Sequence, residues 1–206
     1  MIEPLECTSD DYCFILECFL EDVYLPKKHL YVTLPIGDLI GRVRYDTRKA
    51  ERAGIVCKKV SDVGPLQQGI LDIFCSKEGR RGLPQRFVNI RPTLESFDVR
   101  EHGWPVERYD NPKCPVHYLE FWGSFAGSAL VGFMEVGVYE DIVMVLTVLG
   151  HGDWFKHGVM NHLFLNVMNE YPGKRFSYGR DTDKAEKAWL FLEGLKLTNY
   201  LEVEAV

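Results

Sequence analysis

Hydrophobic and polar residues fall into two sharp periods in the last 90 residues and into weaker ones before them. Val116–Phe125 (VHYLEFWGSF) is aromatic and strand-like, Ala126-Gly127-Ser128 is a turn, and Ala129–Tyr139 (ALVGFMEVGVY) is a return strand. Asp141–Leu149 (DIVMVLTVL) is a nearly unbroken apolar run, the mark of a strand buried on both faces. A glycine-bearing turn follows (Gly150-His151-Gly152-Asp153-Trp154), and a helix starts near Gly158. Its inward stripe is Val159, Met160, Leu163, Phe164, Val167 and Met168, with Asn161, His162, Asn166, Asn169 and Glu170 on the other side. Pro172-Gly173 ends it. Arg175–Arg180 reads as a strand, a helix with Trp189 in its stripe comes next, and Leu197, Asn199, Leu201 and Val203 alternate in a closing strand.

The first half is less regular. Residues 2–7 read as a short strand, and Thr8 or Ser9 caps an acidic-start helix that ends at Pro26. Ile36, Leu39, Ile40 and Val43 predict a helix running into the basic stretch RVRYDTRKAER. Ile55–Val60 reads as a strand, and Leu66, Ile70, Ile73 and Phe74 as a helix after Pro65. Lys77–Pro84 (KEGRRGLP) is a turn-like basic loop, and Phe87–Ile90 a short strand. The pattern predicts one domain over residues 1–206, with 30–115 as a basic, variable insertion.

Composition changes this picture in three ways. Residues 42–91 hold 12 Lys/Arg against 5 Asp/Glu, a net of +7 in a chain of net charge −6. That segregation points to contact with an acidic protein or a nucleic acid through residues 42–91, against the plain alternative of a solvated basic surface. The six cysteines (7, 13, 18, 57, 75, 114) form no CxxC pair, so they read as free thiols in a reducing compartment, with no metal site. The chain has no apolar run near the ~20 residues of a membrane helix, and its acidic start has no leader-like apolar stretch, so the expected location is cytoplasmic.

The order strand, helix, variable segment, three-strand meander, glycine-turn helix, strand, helix, strand resembles the GCN5-related N-acetyltransferase (GNAT) superfamily. MIEPLECTSDD resembles its opening, Val131-Gly132-Phe133 its third strand, and Ala188–Leu197 its last helix and closing strand. The resemblance covers residues 1–25 and 116–206. It implies an α+β sandwich, with a mixed, mostly antiparallel central sheet flanked by helices and a large insertion after the first helix. It also implies acetyl-CoA or another acyl-CoA, held by Val148 and Leu149 at the end of a splayed strand and by His157, Gly158 and Val159 at the helix start, and an amine-bearing acceptor. Glu135 and His151 are the candidate bases, and Glu120 is a third.

The family's phosphate motif matches only at Gly158, because Phe155 and Met160 stand where Arg or Gln and a small residue are expected. Phe191 or Leu192 replaces the usual proton-donating tyrosine. Two readings follow. One is an N-acyltransferase. The other is an inactive part of the same fold, similar to bacteriophage virion or ejection proteins with an eroded motif, in the host cytoplasm or the virion.

Overall fold

A computed structural model describes residues 28–34, 41–76, 93, 117–180 and 199–202. The expected strand at 2–7, the helix after it, the Lys77–Pro84 loop, the strand at Phe87–Ile90 and the helix with Trp189 lie outside these residues. In chain order the described elements are β1 (Lys28–Thr33), α1 (Gly41–Arg52), β2 (Ile55–Val60), α2 (Gln67–Cys75), β3 (His117–Ala126), β4 (Ala129–Tyr139), β5 (Ile142–Gly150), α3 (Val159–Asn169), β6 (Arg175–Arg180) and β7 (Asn199–Glu202).

The strands form a single sheet in the order β2-β3-β4-β5-β6-β1-β7. Among the described strands only β5 and β6 run parallel; every other neighbouring pair is antiparallel. The expected α+β architecture, a mixed and mostly antiparallel sheet flanked by helices, is therefore what the chain forms. The meander β3-β4-β5 needs little beyond local chemistry. Gly127, at φ 61°, supplies the positive φ of the two-residue turn between Ala126 and Ala129. Glu140 takes φ 50° in the next turn, where Lys174 donates to its carbonyl oxygen.

Residues that read as part of the insertion join this framework. β2 pairs with β3 over six residues, Ile55↔Ala126 to Val60↔Phe121, and forms one edge of the sheet. β1, which the sequence pattern did not announce, lies between β6 and β7.

The core has two sides. Against α2 pack Val63, Ile70, Leu71, Ile73, Phe121, Phe125, Leu130 and Phe133. The Phe121 and Phe133 rings stack 5.4 Å apart, and burying each contributes roughly 1.5–3 kcal/mol. On the other face lie α1 and α3, with Val43, Trp122, Met134, Val136, Leu163, Phe164, Val167 and Phe176 in one cluster and Ala50, Ile55, Val131 and Val159 in a second. The stripe predicted for α3 is found, with one correction. Asn161 and His162, expected on its outer side, are 8% and 5% exposed. α1 covers them, so a helix that reads as one-sided is buried on two sides.

Candidate functional site

β5 and β6 are pinned together at one end. Arg175 and Asp141 form a bidentate ion pair, both contacts at 2.8 Å, and the Arg175 backbone N–H donates to the Asp141 carbonyl. Three registered pairs follow: Ile142↔Arg175, Val143↔Phe176 and Met144↔Ser177. Beyond them β5 runs on to Gly150 paired only with β4 among the described residues, while β6 continues along β1. A bulge marks the parting. Glu135 pairs with Thr147 and Val136 with Val145, which leaves Leu146 as an extra residue, 43% exposed.

At the far end of β5 the chain turns sharply. The His151 N–H donates to the Val131 carbonyl at 2.9 Å, and the Gly152 N–H donates to Ser76 Oγ at 2.8 Å. A 3-10 turn over Gly152–His157 then leads to Gly158. Gly158 adopts φ 77° and caps α3. A Cβ placed there would lie 2.2 Å from the Asp46 carbonyl oxygen. Glycine is thus required by the close passage of α1, whatever else the turn does.

The same helix supplies a carboxylate. Asn161 Nδ2 donates to Asp46 Oδ2 at 2.7 Å, in the first turn of α3, where negative charge complements the helix dipole. The end of β5 is crowded as well. A Cβ on Gly150 would meet Met160 Sδ at 2.5 Å and Phe155 Cε1 at 3.1 Å. Phe155 and Met160, the two departures from the phosphate motif, pack over the last residue of the strand.

The candidate residues are not gathered in one place. His151 is half-buried, and its Nδ1 accepts from the Asp153 N–H at 3.3 Å. Glu135 is half-buried on β4, four residues along from Val131 and therefore about 13 Å from His151. It alternates with Met134 and Val136, whose side chains face α3, so it belongs to the opposite face. Val148 packs toward the α3 side and Leu149 toward the α2 side. His157 lies against Trp154, with ring centroids 5.2 Å apart. Val159 is fully buried.

Glu120, the third candidate, has its partners already. It is 5% exposed. Its Oε1 accepts from Lys59, and its Oε2 accepts from the Tyr171 hydroxyl and, at 3.2 Å, from Trp122 Nε1. A carboxylate with both oxygens engaged is a fastener and not a free base. Burial, reinforced by the charge of Glu120 and the hydrogen bond to it, drives the Tyr171 hydroxyl above the ordinary phenol range. Burial, followed by the same charge, raises Tyr118. Nearby, burial pushes the Cys57 thiol up to about 12, so this thiol is inert.

Sequence reasoning missed Asp46, Lys59 and Tyr171. For Lys59 a signal existed, since an alternating strand with one lysine on its buried face needs an acid opposite. Asp46 and Tyr171 had none, because their roles depend on how α1 crosses α3 and on the chain after α3 returning over Trp122. No group of three or more His, Cys, Asp or Glu among the described residues is placed to hold a metal ion.

No family model matches the chain, and no curated protein does. Solved structures do. One, from Agrobacterium fabrum, carries the name lysylphosphatidylglycerol synthetase C-terminal domain (DUF2156); it is 15% identical, with TM-score 0.48, over 84% of this chain and 52% of that one. L-PGS from Bacillus licheniformis is 14% identical, with TM-score 0.48, over 75% of this chain and 45% of that one. A conserved protein of unknown function from Bacteroides thetaiotaomicron is 12% identical, with TM-score 0.50, over 94% of this chain and 66% of that one.

The chain thus spans about half the length of the first two, and at such identity the likeness to the third is one of fold. These findings correct the family resemblance drawn from the sequence. The three structures named here carry neither the name of the GNAT superfamily nor that of a bacteriophage protein with an eroded acyl-CoA motif. The resemblance rested on the order of elements, which unrelated chains share when they build the same sheet.

Proposed function

We propose that the chain is an acyltransferase-like protein that holds an acyl donor between β5 and β6 and passes the acyl group to an amine. One observation carries this reading: the parallel pairing stops at Met144↔Ser177, while β5 continues six residues to Gly150. A strand edge of that length offers amide and carbonyl groups to the amide-bearing arm of a donor, with Val148 and Leu149 at the place of contact. Amides fixed in such an edge can also stabilise the oxyanion formed as the amine adds to the acyl carbonyl. The new carbon–nitrogen bond forms, the bond to the leaving thiol breaks, and the amine proton passes to a base. His151, at the mouth of the turn, is nearer the end of β5 than Glu135 and is the better candidate.

Acetyl-CoA, or another acyl-CoA, fits this site only in part. The strand edge suits its amide arm. The start of α3 does not suit its pyrophosphate, because α1 crosses Gly158 and the Asp46 carboxylate already serves the first turn. Recognition therefore rests on the arm, with Lys156 and His157, in the turn before Gly158, as the basic side chains beside a phosphate lying outside the helix end. Cys57 and Cys75 are free thiols, in keeping with a reducing cytoplasmic setting. No described helix is long and apolar enough to cross a membrane.

Thermal melts with acetyl-CoA and with acetyl-pantetheine test the reading. A ligand that binds the native state raises the melting temperature, and the two compounds are expected to do so alike. If neither moves it at millimolar concentration, the acyl reading fails.

A second reading is favoured by a separate observation. The outer side of α1 exposes Arg44, Arg48 and Arg52, so the basic segment 42–91 is the part through which the chain contacts an acidic protein or a nucleic acid, with or without catalysis.

A further inference from the structure

The basic charge of α1 is sorted by face. Val43, Thr47 and Ala50 are buried, and they fix which side of the helix looks outward. On that side Arg44, Arg48 and Arg52 are exposed at i, i+4 and i+8, so neighbours stand about 6 Å apart along the axis and the row spans about 12 Å. Tyr45 lies beside the row and is 60% exposed, so its ring is open to solvent. Lys49 Nζ sits 5.8 Å from its centroid. Gly41, Arg44, Tyr45, Arg48 and Arg52 line a shallow cleft of about 310 Å³.

Of the two acids of α1, Asp46 is drawn to Asn161 and lies 4.0 Å from Arg42, its side chain 24% exposed; Glu51 is exposed, so three arginines and Lys49 stand against one exposed acid. Among the described residues none of the three arginines has an ion-pair partner within 4.0 Å. Arginine thus predominates where bidentate contact with phosphate is favoured over a point charge.

We propose that this face of α1 binds single-stranded nucleic acid. The arginine row tracks successive phosphates, and Tyr45 is the platform on which a base stacks. The pairing of a cationic row with an exposed ring is what separates this ligand from its rivals. An acidic peptide would have no use for the ring, and a duplex keeps its bases stacked on each other and out of its reach. The proposal deepens the second reading above and is independent of acyl transfer. Since the whole chain has net charge −6, binding is local, and added salt weakens it.

The test uses the full chain and a fluorescein-labelled oligothymidylate of about twelve nucleotides, a length within the range such sites cover. Anisotropy is followed between about 50 and 200 mM salt. The R44A/R48A/R52A variant is expected to bind at least about tenfold more weakly and to lose about 2 from the salt slope, since each phosphate contact on a single strand contributes about 0.7. Tyr45→Ala is expected to weaken binding roughly five- to hundredfold with the slope unchanged, the mark of lost stacking. All four side chains are exposed, so melting temperatures should match the wild type. Should the triple variant fail to fold, Arg48→Gln and Tyr45→Ala carry the test alone. The proposal is overturned by no binding at 50 mM salt, by full-strength binding of the variants, or by equal competition from polyglutamate or from a duplex of the same length. Failure here leaves the acetyl-pantetheine result untouched, and the reverse holds too.

Discussion

The two faces of the sheet are held by different means. On the α2 face two phenylalanine rings stack at the centre of an apolar cluster, and the buried polar residue that strand alternation assigns to that side of the sheet is Ser177, next to Phe176 of the other face. On the α1/α3 face the apolar core is interrupted by Thr47, Glu120, Ser124, Asn161 and His162, each under 9% exposed. A dry face needs only shape. A buried polar face is fixed where its groups are paired, as Asn161 Nδ2 is to Asp46, and that pair helps set how α1 lies over α3. The same face carries both functional readings, since the start of α3 and the arginine row depend on where α1 lies.

The sharpest way to break this contrast is at the crossing itself. Gly158→Val forces a side chain into positive φ and drives it into the Asp46 backbone, and together these cost about 2–6 kcal/mol. Urea melts should show that loss; a variant as stable as wild type would mean that α1 does not cross there. Phe133→Ala tests the dry face. Phe133 is fully buried, and its truncation should cost about 3–5 kcal/mol as a cavity, with no dependence on pH. A loss under about 1 kcal/mol would show that the face can collapse around the gap.

A smaller effect separates the two kinds of core. Tyr171→Phe removes one donor from Glu120 Oε2 and keeps the ring, leaving Trp122 Nε1 as the partner of that oxygen. The expected cost is about 1–3 kcal/mol, that of under-serving a buried acceptor. The sign with pH follows from the raised hydroxyl. The folded state keeps its proton above the ordinary value of 10.0, where the unfolded state loses it, so Tyr171 stabilises below that pH and its contribution fades as pH rises further. Wild type and variant should therefore converge in stability at high pH. If the gap between them stays constant, the hydroxyl is not held by Glu120.

The dry face was legible and the polar one was not. Phe121, Phe133 and Ile70 declare themselves through alternation in strands and helical spacing in α2, because a side chain that wants only burial leaves its period in the sequence. The meander β3-β4-β5, the strand at Ile55–Val60 and the start of α3 were read in this way. His162 and Asn161 sit on the wrong side of the stripe for a helix buried once, and only α1, remote in sequence, makes them interior. Gly158 was visible as special, but the neighbour that makes it so was not. The parting of β5 from β6 is likewise a matter of register between strands, and no local pattern encodes where parallel pairing stops.

The gentlest probe of the comparison is the proton on His162. The ring is 5% exposed, and burial lowers its pKa from the usual 6.5, with the charge of Glu51 pulling weakly the other way. Among the described residues its Nδ1 has no hydrogen-bond partner, nor does Asn161 Oδ1 or Thr47 Oγ1, so little in the seam would welcome a charged imidazole. Below pH 6.5 the unfolded chain takes up a proton that the folded chain refuses. The unfolded state then binds more protons, and stability falls as pH drops from 6.5 toward the depressed folded value. The loss should be steeper in wild type than in His162→Gln, whose amide does not titrate, while Phe133→Ala should keep the wild-type pH profile at lower overall stability. Denaturant midpoints at pH 7.5 and 5.5 for the three proteins decide the matter. Equal pH profiles for wild type and His162→Gln would mean that water reaches the seam and hydrates the ring, and the polar face would then be less tightly specified by α1 than its buried groups suggest.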